Sequence, residues 1–224
     1  MKMPATQVFE PDGRAIAYVD EGTGPGLLLI PARGLGAGYL GALAHALADA
    51  GHRVVRVGAR RLAEDASMHD LAQDVVDVMD HLGLDSAWVG GHAFGGAVAR
   101  TVSLDHHDRV NGVLLLGVET SPDADADAPE AELGSARDAD VEAMQRAAFA
   151  AVPESERAAL ATGIPVLVVQ GTEDRINPVA GGAALQAAAP DRVSVVVVEG
   201  GGHLFPATHA VATSWAIEDY LDWD

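Results

Sequence analysis

Residues 85–96 read Asp-Ser-Ala-Trp-Val-Gly-Gly-His-Ala-Phe-Gly-Gly. The apolar run Ala87-Trp88-Val89 leads into glycines at 90, 91, 95 and 96, and the chain continues as Ala97-Val98-Ala99-Arg100. Such a run predicts a strand, a tight turn lined by small residues, and a helix. Phosphate-binding turns share this outline, but their patterns fail here. A Walker loop needs Gly-Lys-Ser/Thr, and Lys2 is the chain's only lysine. The dinucleotide fingerprint G-x-G-x-x-G does not fit the spacing from Gly91 to Gly96. The frame that does fit is Gly91-x-Ala93-x-Gly95, with an alanine at its centre.

Moving outward, Gln7–Phe9 and Ala15–Val19 flank the turn residues Pro11-Asp12-Gly13 and predict an antiparallel hairpin. Leu27–Ile30 is a continuous apolar run, as expected of a strand buried on both faces. Further strands are predicted at Val54–Val57, Val110–Val118, Val166–Val169 and Val193–Val198. Helices are predicted at Tyr39–Ala50, closed by Gly51, and at Asp70–Leu82, closed by Gly83. Two more are expected near Ala183–Ala189 and over His209–Leu221. Strand and helix alternate from residue 27 onward, which predicts a mostly parallel sheet with helices on both faces. The exception is 119–163, which opens with the acidic, turn-rich stretch Ser121–Asp127 and continues with short helices expected at Ala139–Ala151 and Glu154–Ala161. An insert after a strand of such a sheet sits over its carboxyl edge, so 119–163 is read as a small lid within a single domain of residues 1–224.

Composition narrows the function. A chain of 224 residues buries enough apolar surface to fold without staples. With no cysteine there are no disulfides, thiolate nucleophiles or cysteine-ligated metals. The formal net charge of −19 disfavours nucleic acid and anionic membranes as partners. Met1–Gly13 lacks the apolar segment of a signal peptide, and no apolar stretch is long enough to span a bilayer, so a cytoplasmic location is expected.

Two more segments carry chemistry. The strand Val166–Val169 runs into Gln170-Gly171-Thr172-Glu173-Asp174, placing an acid just past a strand end. The strand Val193–Val198 runs into Glu199-Gly200-Gly201-Gly202-His203, placing a histidine in a glycine loop. The order elbow, acid, histidine resembles the α/β-hydrolase fold family, over nearly the whole chain. The resemblance implies an eight-stranded, mostly parallel sheet, a small-molecule substrate, and no cofactor or metal. It puts Ala93 where the nucleophilic serine belongs, Asp174 at the acid and His203 at the base. Glu119, just past the Val110–Val118 strand, is the alternative acid. The oxyanion hole implied by the family uses the backbone N–H of Phe94 and that of Arg33. The Arg33 side chain is expected to face solvent. Of the larger aromatic residues, Trp88, Phe94, Phe149, Phe205 and Trp215, most are expected in the core.

This chain departs from the family pattern in three places. Pro31-Ala32-Arg33-Gly34 replaces a His-Gly turn, and Gly58–Ser67 replaces an Arg-Gly-x-Gly-x-Ser run. The third departure is Ala93. An inactivating replacement of serine would leave Asp174 and His203 intact, in an enzyme that hydrolyses a small carboxylic ester, lactone or thioester. A native alanine would instead suit base-only chemistry by His203 and Asp174, such as cyclisation, elimination, retro-aldol cleavage or cofactor-free oxygenation. A non-catalytic relative that binds a small molecule is the remaining reading.

Overall fold

A computed structural model describes residues 4–61, 66–122 and 137–222. The strands are β1 (Gln7–Phe9), β2 (Ala15–Gly22), β3 (Gly26–Ile30), β4 (Arg53–Arg61), β5 (Ala87–Ala93), β6 (Val110–Val118), β7 (Val166–Gly171) and β8 (Val193–Val198). They form one eight-stranded sheet in the order β1-β2-β4-β3-β5-β6-β7-β8. The β1–β2 and β2–β4 pairs are antiparallel, and every pair from β4 through β8 is parallel. Pro11–Gly13 forms a 3-10 turn in the first hairpin.

The helices are α1 (Gly41–Asp49), α2 (Met68–His81), α3 (Phe94–Asp105), α4 (Ala139–Ala150), α5 (Ala180–Ala188), α6 (Phe205–Thr208) and α7 (Ala210–Leu221). They cover both faces of the sheet, which explains the unbroken apolar strands. Alternate residues of β3 point opposite ways: Leu28 and Ile30 join Val75, Met79 and Val98 of α2 and α3. Leu27 and Leu29 join Leu43 and Leu47 of α1, Phe205 of α6 and Ile217 of α7. The same division places Leu115 in the first layer and Leu114 and Leu116 in the second.

Helix α2 begins at Met68, two residues before the expected start, because Ser67 caps it. Asp70 N–H donates to Ser67 Oγ at 3.2 Å, and Ser67 N–H donates to Asp70 Oδ2 at 2.9 Å. An ion-pair network ties α2 to β4 and to Arg14. Arg60 donates to both oxygens of Asp74, at 2.5 and 2.9 Å, and Arg14 reaches Asp74 Oδ1 at 2.6 Å. Burial nevertheless pushes the Asp74 carboxyl up, against the pull of the two guanidinium groups.

The helix expected at Glu154–Ala161 is only a 3-10 turn, Glu154–Glu156. The nine residues between Pro153 and Gly163 are too few to sustain a helix without strong packing. Arg157 is also drawn backward, donating to Val152 O at 3.1 Å and Ala150 O at 3.3 Å beyond the end of α4. Of the five aromatics, Phe94, Phe149 and Phe205 are buried, whereas Trp215 stands 66% exposed on α7. Of the expected lid, 119–122 and 137–163 are described, whereas the acidic stretch from Asp123 lies outside the described residues. Among the described residues no helix is long and apolar enough to cross a membrane.

Candidate active site

The site lies at the carboxyl edge of the parallel strands, where β5 turns into α3. Ala93 ends β5 with φ 50° and ψ −110°, and Phe94 opens the helix. Steric crowding dictates the flanking glycines. A Cβ on Gly95 would stand 2.1 Å from Ile30 O, and one on Gly91 would stand 2.4 Å from the Gly95 carbonyl carbon. The turn is therefore pressed against β3 so closely that only glycine fits on either side of residue 93. Ala93 is buried in a small cluster with Ala32 and Leu35, flanked by Tyr39.

Asp174 and His203 meet because two loops lace together above β7 and β8. Thr172 N–H donates to Val198 O at 3.1 Å, Glu173 N–H to Gly201 O at 2.9 Å, and Gly200 N–H to Thr172 Oγ1 at 2.9 Å. Both side chains are buried. Asp174 Oδ1 accepts from Ile176 N–H at 2.9 Å and Asn177 N–H at 2.8 Å, and Oδ2 lies 3.2 Å from His203 Nδ1. Two backbone donors hold the carboxylate in one rotamer, so it can hold the imidazole in turn. With Asp174 ionised, Nδ1 carries the proton and Nε2 is the basic atom. The His203 ring also meets that of His92, the residue before Ala93, with centroids 4.7 Å apart and the planes tilted by 45°. The Tyr39 hydroxyl lies 3.2 Å from His92 Nδ1.

Arg33 does not face solvent. Its side chain is fully buried and forms an ion pair with the equally buried Glu119. It also donates to Pro122 O at 2.8 Å, and its guanidinium carbon stands 5.5 Å above the Phe94 ring. The departure from expectation has a physical cause: β6 delivers Glu119 beside the elbow, with Val118 in register with Ala93, and a buried carboxylate there needs a cation. Glu119 is thus engaged by Arg33, while Asp174 is the acid that meets His203.

The loop carrying the Arg33 amide is braced from α4, a feature the sequence does not reveal. Gly34 N–H donates to Gln145 Oε1 at 2.8 Å, Asp138 N–H to Gly34 O at 2.9 Å, and Arg137 to Arg33 O at 2.7 Å. Phe149 of α4 packs edge-on against Phe94, with ring centroids 6.3 Å apart. Only the polar character of Gln145 on the buried side of α4 could have hinted at this role.

With these features in place, the chain belongs to the α/β-hydrolase fold family, whose family model matches residues 27–161. A second model, for TAP-like proteins, matches residues 138–223. Among curated proteins, the putative carbamate hydrolase RutD of Caulobacter segnis is 44% identical over 57 residues, which is 25% of this chain and 21% of that protein. The chain therefore spans about a fifth of that relative's length. A thermophilic esterase from Thermogutta terrifontis superposes with a TM-score of 0.82 at 23% identity, covering 97% of this chain and 98% of that one. E-2-(Acetamidomethylene)succinate hydrolase gives 0.83 at 18% identity, covering 98% and 99%. These solved structures share the fold.

Proposed function

We propose that the site is that of a serine-type hydrolase with its nucleophile missing, whose serine form cleaves a small carboxylic ester, lactone or thioester. The observation that carries this reading is the 3.2 Å contact between His203 Nδ1 and Asp174 Oδ2, with the imidazole packed on His92 beside the elbow. A hydroxyl at position 93 would attack the carbonyl carbon while His203 Nε2 took its proton. The amides of Phe94 and Arg33 would hold the oxyanion, and His203 would return the proton to the leaving oxygen or sulfur. Water, giving a proton to His203 Nε2, would then attack the acyl carbonyl, and the acid would leave as His203 passed that proton to the serine oxygen. The segment 119–163, with α4 packed against the Arg33 loop, would act as the lid. Hydrolase-named relatives support the same class.

As the chain stands, a methyl group replaces the nucleophile, and hydrolysis should be slower by several powers of ten. The test is Ala93→Ser, assayed with p-nitrophenyl acetate and butyrate and labelled with a fluorophosphonate. Ester turnover and labelling of residue 93 are expected, and the absence of both would overturn the reading.

A second reading rests on Asp174 itself, which keeps two backbone donors and its histidine contact without any hydroxyl to serve. In that reading His203 is a general base that removes a carbon-bound proton, with the two amides holding the resulting enolate. Deuterium exchange at the α-carbon of a β-keto ester, followed by NMR in the present chain and lost in His203→Ala, would establish it.

A further inference from the structure

The arginines of this acidic chain are mostly paired: Arg14, Arg53, Arg56, Arg60 and Arg109, among others, contact carboxylates. Arg100 is different. It sits within α3 and is only 4% exposed, yet among the described residues no oxygen accepts from its guanidinium. The hydrogen bond it does make uses its backbone carbonyl, which accepts from Ser103 Oγ at 2.7 Å. Burial alone pushes its guanidinium down to about 10, with no opposing charge to restore it.

Arg100 opens onto a narrow crevice of about 30 Å3 between α2, α3 and the turn after α4. Met68, Ala97, Leu104 and Phe149 supply apolar walls, and Arg157 lines the crevice with Arg100. Arg157 spends its donors on the neutral carbonyls of Val152 and Ala150 and lies over the Phe149 ring, so its charge is also uncompensated. Glu156 also lines the crevice, at its exposed rim, and forms no ion pair with either arginine among the described residues. Two cations thus share one partly apolar crevice in a protein of net charge −19. A buried cation is costly unless a counter-charge joins it, and a guanidinium fork suits the paired oxygens of a carboxylate or phosphate.

We propose that this crevice binds a small oxyanion, the carboxylate or phosphate group of a small molecule, between Arg100 and Arg157. A crevice of about 30 Å3 takes in no more than the charged group and leaves the rest of the ligand at the surface. The site is separate from the elbow and independent of the activity proposed above.

Thermal unfolding tests it, with inorganic phosphate or acetate replacing chloride at constant ionic strength. The midpoint of the wild-type chain should rise saturably with at least one of the two, which also tells phosphate from carboxylate. At ten times Kd the unfolding equilibrium shifts about elevenfold, a rise of about 3–6 °C for a domain of this size. Arg100→Met should lose the rise and, without either oxyanion, unfold no lower than the wild type, because it removes an uncompensated charge. Arg100→Lys should keep a weakened rise. No rise in the wild type with either anion, or an equal rise in Arg100→Met, overturns the proposal. A fall in the Arg100→Met midpoint without added oxyanion overturns it too, since that marks a purely structural arginine. If Arg100→Met does not fold, Arg157→Met carries the comparison: a rise smaller than the wild type's supports the site, and an equal rise overturns it.

Discussion

At the scale of a single residue, Ala93 holds a backbone conformation that side chains other than glycine avoid, φ 50° with ψ −110°. Such strain costs about 1–3 kcal/mol and persists only where the surroundings over-determine it. A methyl group gains nothing from that conformation. The neighbours impose it: β5 slips register against β6 between His92 and Ala93, and Gly95 has no room to move away from Ile30 O. Ala93→Gly should therefore stabilise the protein. Strain relief of about 1–3 kcal/mol outweighs the roughly 0.5–1 kcal/mol of extra chain entropy that glycine loses on folding. Urea unfolding should show a net gain of about 1 kcal/mol, and a net loss would mean the turn is relaxed. In the proposed hydrolase reading, this strained position is the nucleophile's seat.

At the scale of an element, α2 shows how far local sequence reaches. Its Ser67–Asp70 capping box fixes the start, and Ser67→Ala should cost about 1 kcal/mol at neutral pH. The Ser67 hydroxyl, followed by the Ser67 backbone N–H, holds the Asp70 carboxyl below the usual carboxylate range. A depressed folded-state value means the contribution is present above the ordinary carboxylate range and lost as pH falls through the lowered value. The stability gap between Ser67→Ala and the wild type should accordingly narrow in acid, measured by urea unfolding at pH 7 and near pH 3. A gap unchanged by pH would show that the Ser67–Asp70 hydrogen bonds do not set it. The strands were legible for a related reason: β3 and β6 are buried on both faces, so their apolar runs owe nothing to distant detail. Asp174 and His203 were legible as polar residues just past strand ends. What the sequence hid depends on contacts between segments. The turn after α4 is set by Arg157 reaching backward, and Trp215 is exposed because α7 turns only its other side inward.

At the scale of the molecule, the elbow is held from above by groups that converge from distant parts of the chain. Arg157 lies over Phe149, Phe149 meets Phe94 edge-on, and Arg33 covers Phe94, at 5.5, 6.3 and 5.5 Å in turn. Arg33 then reaches Glu119, 86 residues along the chain. A buried ion pair repays its desolvation only when the remaining lone pairs are also satisfied. Here they are not: Glu119 Oε2 is buried with no hydrogen-bond partner among the described residues. The pair should thus act less as a source of stability than as a device fixing where the Arg33 loop meets β6. A double-mutant cycle separates the two roles. Arg33→Met alone leaves a naked buried carboxylate and should cost about 3–5 kcal/mol, and Glu119→Met removes the counter-charge of a guanidinium that keeps its bond to Pro122 O, at a smaller cost. The double variant Arg33→Met/Glu119→Met should recover most of that loss and reach or exceed the starting stability, by urea unfolding. Additive losses would mean that the two side chains do not interact, and the loop beside residue 93 would then owe its place to its contacts with Gln145, Arg137 and Asp138 instead.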